Sequence, residues 1–349
     1  MVVAPLRAAR LACCCFVAAA AMVGAQEAPP AQAPQNPPNF ERQAQQQADT
    51  DRAWRDASDG VMRMEKVTYA SRAGGLQIPA FVFEPLDARS EPLESRGTRG
   101  HAALVWVHPD IRGHLYEYFI PYVREAVARG YIVIAPEYRG SIGHGRELYD
   151  AIDYGGEEVD DVLTAVDYLK SSIPRVDPAR IGIVGWSHGG MIALLAITRE
   201  PAAFRAAAAL VPVTNLFQRL AWKGEERQRQ RIDPQNRIGG SPAEQREAYR
   251  DRSPLFQVEK LQIPLLVHVA KNDADVNIEE AMPLVDALRS RKTDLAETRV
   301  YESPKGGHLF DRQVDPKTRQ PENTREQRDS WNRVWTFFEW HLDPFTRVP

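Results

Sequence analysis

Apolar residues in this chain follow two rhythms. Short unbroken runs rich in β-branched and small apolar residues occur at His101–His108, Tyr131–Ala135, Ile181–Val184, Ala206–Val213 and Pro264–Val269. Their length and composition are those of strands covered on both faces. Between them lie stretches whose apolar residues recur three or four apart, the spacing of a helix with one buried face: Leu115–Arg129 (ended by Gly130), Glu157–Ser171, Met191–Thr198 and Ile278–Arg289. A strand over Thr298–Tyr301 and a last helix from about Glu326 to His341 complete the series. Ahead of it, Glu65–Ala70 and Leu76–Phe83 read as strands joined at Ala73-Gly74-Gly75, a hairpin turn signal, and Asp51–Met64 as a short lead-in helix. Strands alternating with helices predict the α/β class, with a doubly wound, mostly parallel sheet carrying helices on both faces.

Three stretches break the pattern. Asn215 to Arg252, after the sixth strand, is charged (Lys223, Arg227, Arg229, Arg231) with a few large apolar residues (Phe217, Leu220, Trp222). It reads as an insertion, either lying over a site or forming a solvated helix pair. Residues 26–50 are rich in Gln, Pro and Ala and predict a disordered linker. Residues 1–25 carry Arg7 and Arg10, an apolar core from Leu11 to Val23, and Val23-Gly24-Ala25 at the end. That is the pattern of a secretory signal peptide cut after Ala25, with a core short for a membrane span. The expected organisation is thus leader, linker and a catalytic domain over 51–349 with an insertion at 215–252. The expected location is secreted or periplasmic.

Composition narrows the chemistry. All three cysteines, Cys13, Cys14 and Cys15, fall in the leader, so disulfides and thiol chemistry are not expected in the mature chain. The formal charge of −3 over 349 residues gives no basic surplus for a nucleic-acid partner. Gly185-Trp186-Ser187-His188-Gly189 fits G-x-S-x-G between a strand and a helix, the context that motif requires. A serine in so tight a turn leaves no room for β-carbons two residues away on either side, and the turn lifts its hydroxyl above the sheet.

A hydroxyl needs a base to become a nucleophile, and the base needs an acid to hold its tautomer. Asp273 and His308 follow Ser187 in the order this motif calls for, each just past the carboxyl end of a strand. Asp273 has a plainer reading as a cap of the helix beginning near Ile278, for which Asp275 is better placed. His308, after Gly306-Gly307, has a plainer reading as a loop histidine. His188 follows the nucleophile, so its backbone N–H suits one oxyanion donor, and the second is expected from Asp110-Ile111. His114 and His144 lie on loops that could border the pocket.

The ordered set of motifs resembles the catalytic domain of the prolyl oligopeptidase group of serine peptidases, within the α/β-hydrolase superfamily. It comprises Ala135-Pro-Glu-Tyr-Arg-Gly-Ser-Ile-Gly-His-Gly145, Gly185-Trp-Ser-His-Gly-Gly190, Phe204-Arg-Ala, Val211-Pro-Val-Thr-Asn215, Ser253-Pro-Leu, Asn272-Asp-Ala-Asp-Val276 and Gly307-His308. The resemblance assigns nucleophile, acid and base to Ser187, Asp273 and His308. His108-Pro109-Asp110-Ile111 departs from that group's oxyanion loop and is similar to the one in dienelactone hydrolases, which puts the second donor on Ile111 N–H. Ala270 stands where the group often has glycine. The stretch before the first core strand is shorter than a β-propeller needs, since one blade alone takes about 40 residues.

The function expected is a secreted serine hydrolase of prolyl oligopeptidase type, cleaving peptide or acyl bonds through an acyl-enzyme. The alternatives are a carboxylesterase or dienelactone-hydrolase-like enzyme, and a non-catalytic binding module. No cofactor and no metal are expected. The partners expected are a small peptide or acyl-ester substrate and, at most, further copies of the chain, with no nucleic acid and no membrane once the leader is removed.

Overall fold

A computed structural model of the protein describes Met1 and residues 38–86, 100–224 and 238–344. The rest of the predicted leader, residues 26–37 of the linker, residues 87–99 and residues 225–237 of the insertion lie outside the described residues. The strands are β1 (Met62–Ala70), β2 (Gln77–Pro85), β3 (His101–Val107), β4 (Ile132–Pro136), β5 (Val176–Trp186), β6 (Ala206–Leu210), β7 (Leu265–Ala270) and β8 (Ala296–Tyr301). The helices are α1 (Phe40–Ser58), α2 (Ile120–Ala128), α3 (Arg146–Asp150), α4 (Glu158–Ser172), α5 (His188–Arg199), α6 (Leu216–Trp222), α7 (Arg246–Asp251), α8 (Ile278–Arg291) and α9 (Arg325–Leu342).

The strands form one sheet in the order β1-β2-β4-β3-β5-β6-β7-β8. Strands β3 to β8 run parallel, and β2 is antiparallel to both β1 and β4. The central strands are apolar throughout because successive residues serve two cores. In β3, Leu104 and Trp106 join the cluster under α1, α2 and α9, while Ala103, Val105 and Val107 join the one under α4, α5 and α8. The fold is the mostly parallel α/β-hydrolase arrangement that the sequence predicts.

Three boundaries differ from expectation. Residues 40–50, expected within a disordered linker, belong to α1, and Met62–Met64, expected as helix, opens β1. The helix starts where Asn39 caps it, its side chain accepting from Arg42 N–H at 2.9 Å. Its buried stripe is Gln47, Thr50, Trp54 and Ser58, three of them polar, so hydropathy carries little trace of it. Trp54 ties it down by donating Nε1–H to Leu115 O at 3.1 Å. In the region Leu115–Arg129, the helix starts only at Ile120, after a 3-10 turn at Glu117–Phe119.

Within the insertion, α6 is packed rather than solvated, since Leu216, Arg219 and Leu220 are buried. Asn215 caps α6, and Leu216 N–H donates to Ser253 Oγ at 2.9 Å. Ser253 in turn donates to Tyr249 O on α7 at 2.6 Å.

Candidate active site

Strand β5 ends at Trp186 and α5 begins at His188, so Ser187 alone makes the corner. It sits at φ 54° and ψ −117°, a conformation that costs a non-glycine residue energy and is tolerated only when neighbours enforce it. They do so by contact. A β-carbon on Gly185 would lie 2.2 Å from Gly189 O, and one on Gly189 would lie 2.3 Å from His108 O. Ser187 N–H donates to Leu210 O at 3.0 Å, and Ser187 O accepts from Met191 and Val213. The hydroxyl has no hydrogen-bond partner among the described residues. His188 N–H is the first of α5, where an amide has no acceptor within its own helix.

Asp273 and His308 lie on the loops after β7 and β8. His308 Nδ1 lies 2.7 Å from Asp273 Oδ2. The other oxygen, Asp273 Oδ1, accepts from Asp275 N–H and Val276 N–H, both at 2.8 Å, so the carboxylate is aimed by its own turn. Neither Asp273 nor Asp275 caps α8, because Asn277 does, accepting from Glu280 N–H at 2.9 Å. Gly306 and Gly307 both have positive φ, 94° and 51°. A β-carbon on Gly307 would come within 2.7 Å of Asn272 O, so this glycine lets the two loops close on each other. His308 Nε2 is buried and has no hydrogen-bond partner among the described residues.

Beside it stands a group whose role the sequence did not disclose. Asp275 Oδ2 lies 3.6 Å from His308 Nε2. Burial opposes its charge, but Arg219, His308 and Lys223 together hold its pKa well below the usual carboxylate range. Lys223 Nζ bonds Asp275 Oδ1 at 2.6 Å. Arg219 donates to Tyr154 Oη at 3.1 Å and to Glu280 at 3.3 Å. Both cations come from α6 and the residue after it, so the insertion reaches the site through charge. The excess of basic residues in 215–252 was the only signal for this in the sequence.

The loop after β3 supplies the other side. Asp110 has φ 70°, and Tyr138 Oη reaches both Asp110 O (2.8 Å) and His108 O (3.1 Å). Ile111 follows, its N–H bonded to no described acceptor. His108 is stacked on Tyr138, ring centroids 4.1 Å apart, with Nδ1 at 2.8 Å from Pro109 O. Its Nε2 lies 3.6 Å from Glu137 Oε2. Burial pushes Glu137 up to about 8 and His108 down to about 3, so at neutral pH this is mostly a neutral pair rather than an ion pair.

The remaining histidines are occupied elsewhere or set apart. His188 Nε2 bonds Glu158 Oε1 at 3.0 Å, which turns its side chain onto α4. Burial would raise Glu158, but His188 and Gly155 N–H more than reverse this and lower its pKa. His268 is buried in β7 with Nδ1 at 2.8 Å from Ser330 Oγ. His114 packs on Tyr116, and burial lowers His144 to about 4.

Comparison with known proteins agrees with this architecture. Residues 119–344 match the prolyl oligopeptidase family. The chain is 30% identical over 219 residues to the uncharacterized peptidase YuxL of Bacillus subtilis, covering 62% of this chain and 31% of that one. It is 32% identical over 163 residues to the uncharacterized peptidase YtmA of the same organism, covering 46% of this chain and 60% of that one. Among solved structures, a Mycobacterium tuberculosis puromycin-hydrolyzing peptidase superposes with a TM-score of 0.66 at 23% identity, over 82% of this chain and 40% of that one. Acylaminoacyl peptidase of Pyrococcus horikoshii gives 0.64 at 19% identity, over 84% and 44%. These two likenesses show the fold, and the chain spans well under half of each of those proteins. With the match covering most of its length, the chain belongs to the prolyl oligopeptidase family.

Proposed function

We propose that the protein is a serine peptidase acting on short peptides, with Ser187 as nucleophile, His308 as base and Asp273 as the group that orients it. In this reading Ser187 Oγ attacks the scissile carbonyl carbon while its proton passes to His308 Nε2. The C–N bond of the tetrahedral intermediate breaks, the proton goes from Nε2 to the leaving amine, and water then hydrolyses the acyl-enzyme by the same route. The backbone N–H groups of His188 and Ile111 hold the oxyanion, each such donor being worth roughly 10²–10³ in turnover. Asp273 keeps the proton of neutral His308 on Nδ1 and balances the imidazolium that forms.

The observation that carries the reading is the 2.7 Å pairing of Asp273 with His308 Nδ1, which leaves a buried Nε2 without a partner. Catalytic contacts of this kind are often open in the free enzyme and tighten with substrate bound, which fits the unengaged hydroxyl of Ser187. Hydrolysis of acyl esters uses the same groups and is the second reading, favoured by the loop around Ile111. Export is part of the proposal and rests on the charged and apolar pattern of residues 1–25.

One experiment tests these points together. Protein recovered from the exported fraction, whose first residue is then Gln26, is labelled with a fluorophosphonate and assayed on aminoacyl-naphthylamides and p-nitrophenyl acetate. Labelling and turnover are expected in the native protein and absent in Ser187→Ala. Labelling that survives that substitution would refute the nucleophile, and an exported chain retaining Met1 would refute the leader.

A further inference from the structure

The proposed chemistry leaves several buried charged residues unused, and one of them lies close to His308 in the chain. Asp311 follows His308 by three residues, is fully buried, and has no part in proton transfer. Its Oδ2 accepts from Trp186 Nε1–H at 2.7 Å, across 125 residues of chain. Its Oδ1 accepts from Arg312 at 2.8 Å. Arg312 is buried too. Trp331 Nε1–H, from α9, donates to Asp311 O. Around this unit the rings of Trp106, Phe119, Trp186 and Trp331 pack within 6.0 Å of one another where paired.

Trp186 is the last residue of β5, one before Ser187. The single carboxylate of Asp311 therefore joins the strand end that presents the nucleophile to the loop that presents the base. Through the ring of Phe119, which packs on Trp186 with centroids 4.6 Å apart, the same unit reaches the segment that follows the loop of Ile111. Burying an ion pair among aromatic rings is a poor way to gain stability, because apolar residues of similar volume often do as well or better. It does fix geometry, since each partner has one place to bond. The register it fixes is that of His308 against Ser187, where displacement by about 1 Å can cost on the order of 10² in rate.

We propose that Asp311, acting with Arg312, is a positioning residue that sets the His308 loop against the turn carrying Ser187 by its bond to Trp186. The proposal rests on the catalytic reading above, and the test separates the two. Trp186→Phe cuts the tie while leaving the Asp311–Arg312 pair whole. Asp311→Leu removes the carboxylate, and Asp311→Asn keeps an oxygen that can still accept from the indole. The readouts are kcat and KM on the best naphthylamide or ester, the fluorophosphonate labelling rate, and thermal unfolding.

Trp186→Phe and Asp311→Leu are each expected to lower kcat and the labelling rate about 10- to 100-fold, with KM within about threefold. The double variant should lose no more than the worse single one, since both break the same link. Asp311→Asn should recover about tenfold of what Asp311→Leu loses. If Asp311→Leu fails to fold, Trp186→Phe and Asp311→Asn decide. A folded Trp186→Phe with native labelling overturns the proposal, as does a loss confined to KM or a double variant whose losses multiply. Should Ser187→Ala still be labelled, the catalytic reading falls instead.

Discussion

Ser187 and His308 are held in place by opposite means. Ser187 is fixed by main chain alone, with two glycines whose hydrogens face carbonyl oxygens at distances no β-carbon could occupy. His308 depends on side chains: Asp273 on its ring, Asp275 beside it, and Asp311 on its own loop, tied to Trp186. The first device tolerates no substitution and needs no distant partner. The second is adjustable, because each tie is one bond among several. A serine fixed by crowding and a histidine fixed by hydrogen bonds can therefore change at different rates, and Arg219 and Lys223 contribute charge only to the second.

The contrast is broken most severely at Gly189. In Gly189→Ala the new β-carbon meets His108 O at 2.3 Å and Val107 O at 2.5 Å, both main-chain atoms at the end of β3. The expected outcome is a loss of fluorophosphonate labelling beyond about 10³-fold together with a lowered Tm, because the turn itself must move. Native labelling in that variant would mean that the serine is not held by crowding.

Asp273→Asn probes the other device with its volume intact. Hydrolysis should fall by up to about 10⁴, the size of the same exchange in a Ser-His-Asp triad, with Tm nearly unchanged. A loss of less than about tenfold would show that Asp273 does not set the tautomer of His308.

The smallest effect concerns the support of the loop from His108 to Ile111. Glu137 is raised to about 8 from an ordinary 4.5, so its contribution to stability is complete below about pH 4.5 and is lost as pH rises through about 8. His108, lowered to about 3 from 6.5, works in the opposite sense: its contribution is complete above about pH 6.5 and is lost as pH falls toward 3. Glu137→Gln removes only the first dependence. Thermal unfolding from about pH 5 to about pH 9 should show this variant gaining on the native protein by a few degrees as pH rises. Parallel curves would mean that Glu137 is ionised throughout.

The same contrast explains what the sequence could and could not tell. The strands of the sheet were legible because strands covered on both faces are apolar at every position, as Leu104 and Val105 show by serving opposite cores. The turn at Ser187 was legible because crowding forces glycine within a few neighbouring residues. Order and position after strands single out Asp273 and His308 as candidates, but nothing local separates Asp273 from a helix cap. The structure gives that cap to Asn277. Arg219 and Lys223 showed only as part of a basic stretch, and Asp311 gave no local signal, because a charge that bonds across 125 residues looks the same in sequence as one in water. The first helix was misread for a related reason. Its buried side is mostly Gln47, Thr50 and Ser58.

That helix has a practical bearing on where the gene should be cut. Gln47 occupies the space beside Gly143, Phe40 meets the ring of Tyr149 edge-on at 5.5 Å, and Arg146 lies over Phe40. A recombinant protein begun at Asp51, the point that hydropathy recommends, would keep Trp54 and yet strip the wedge from under the 140–150 bend. An expression boundary placed before Asn39 retains both the wedge and the cap that starts it.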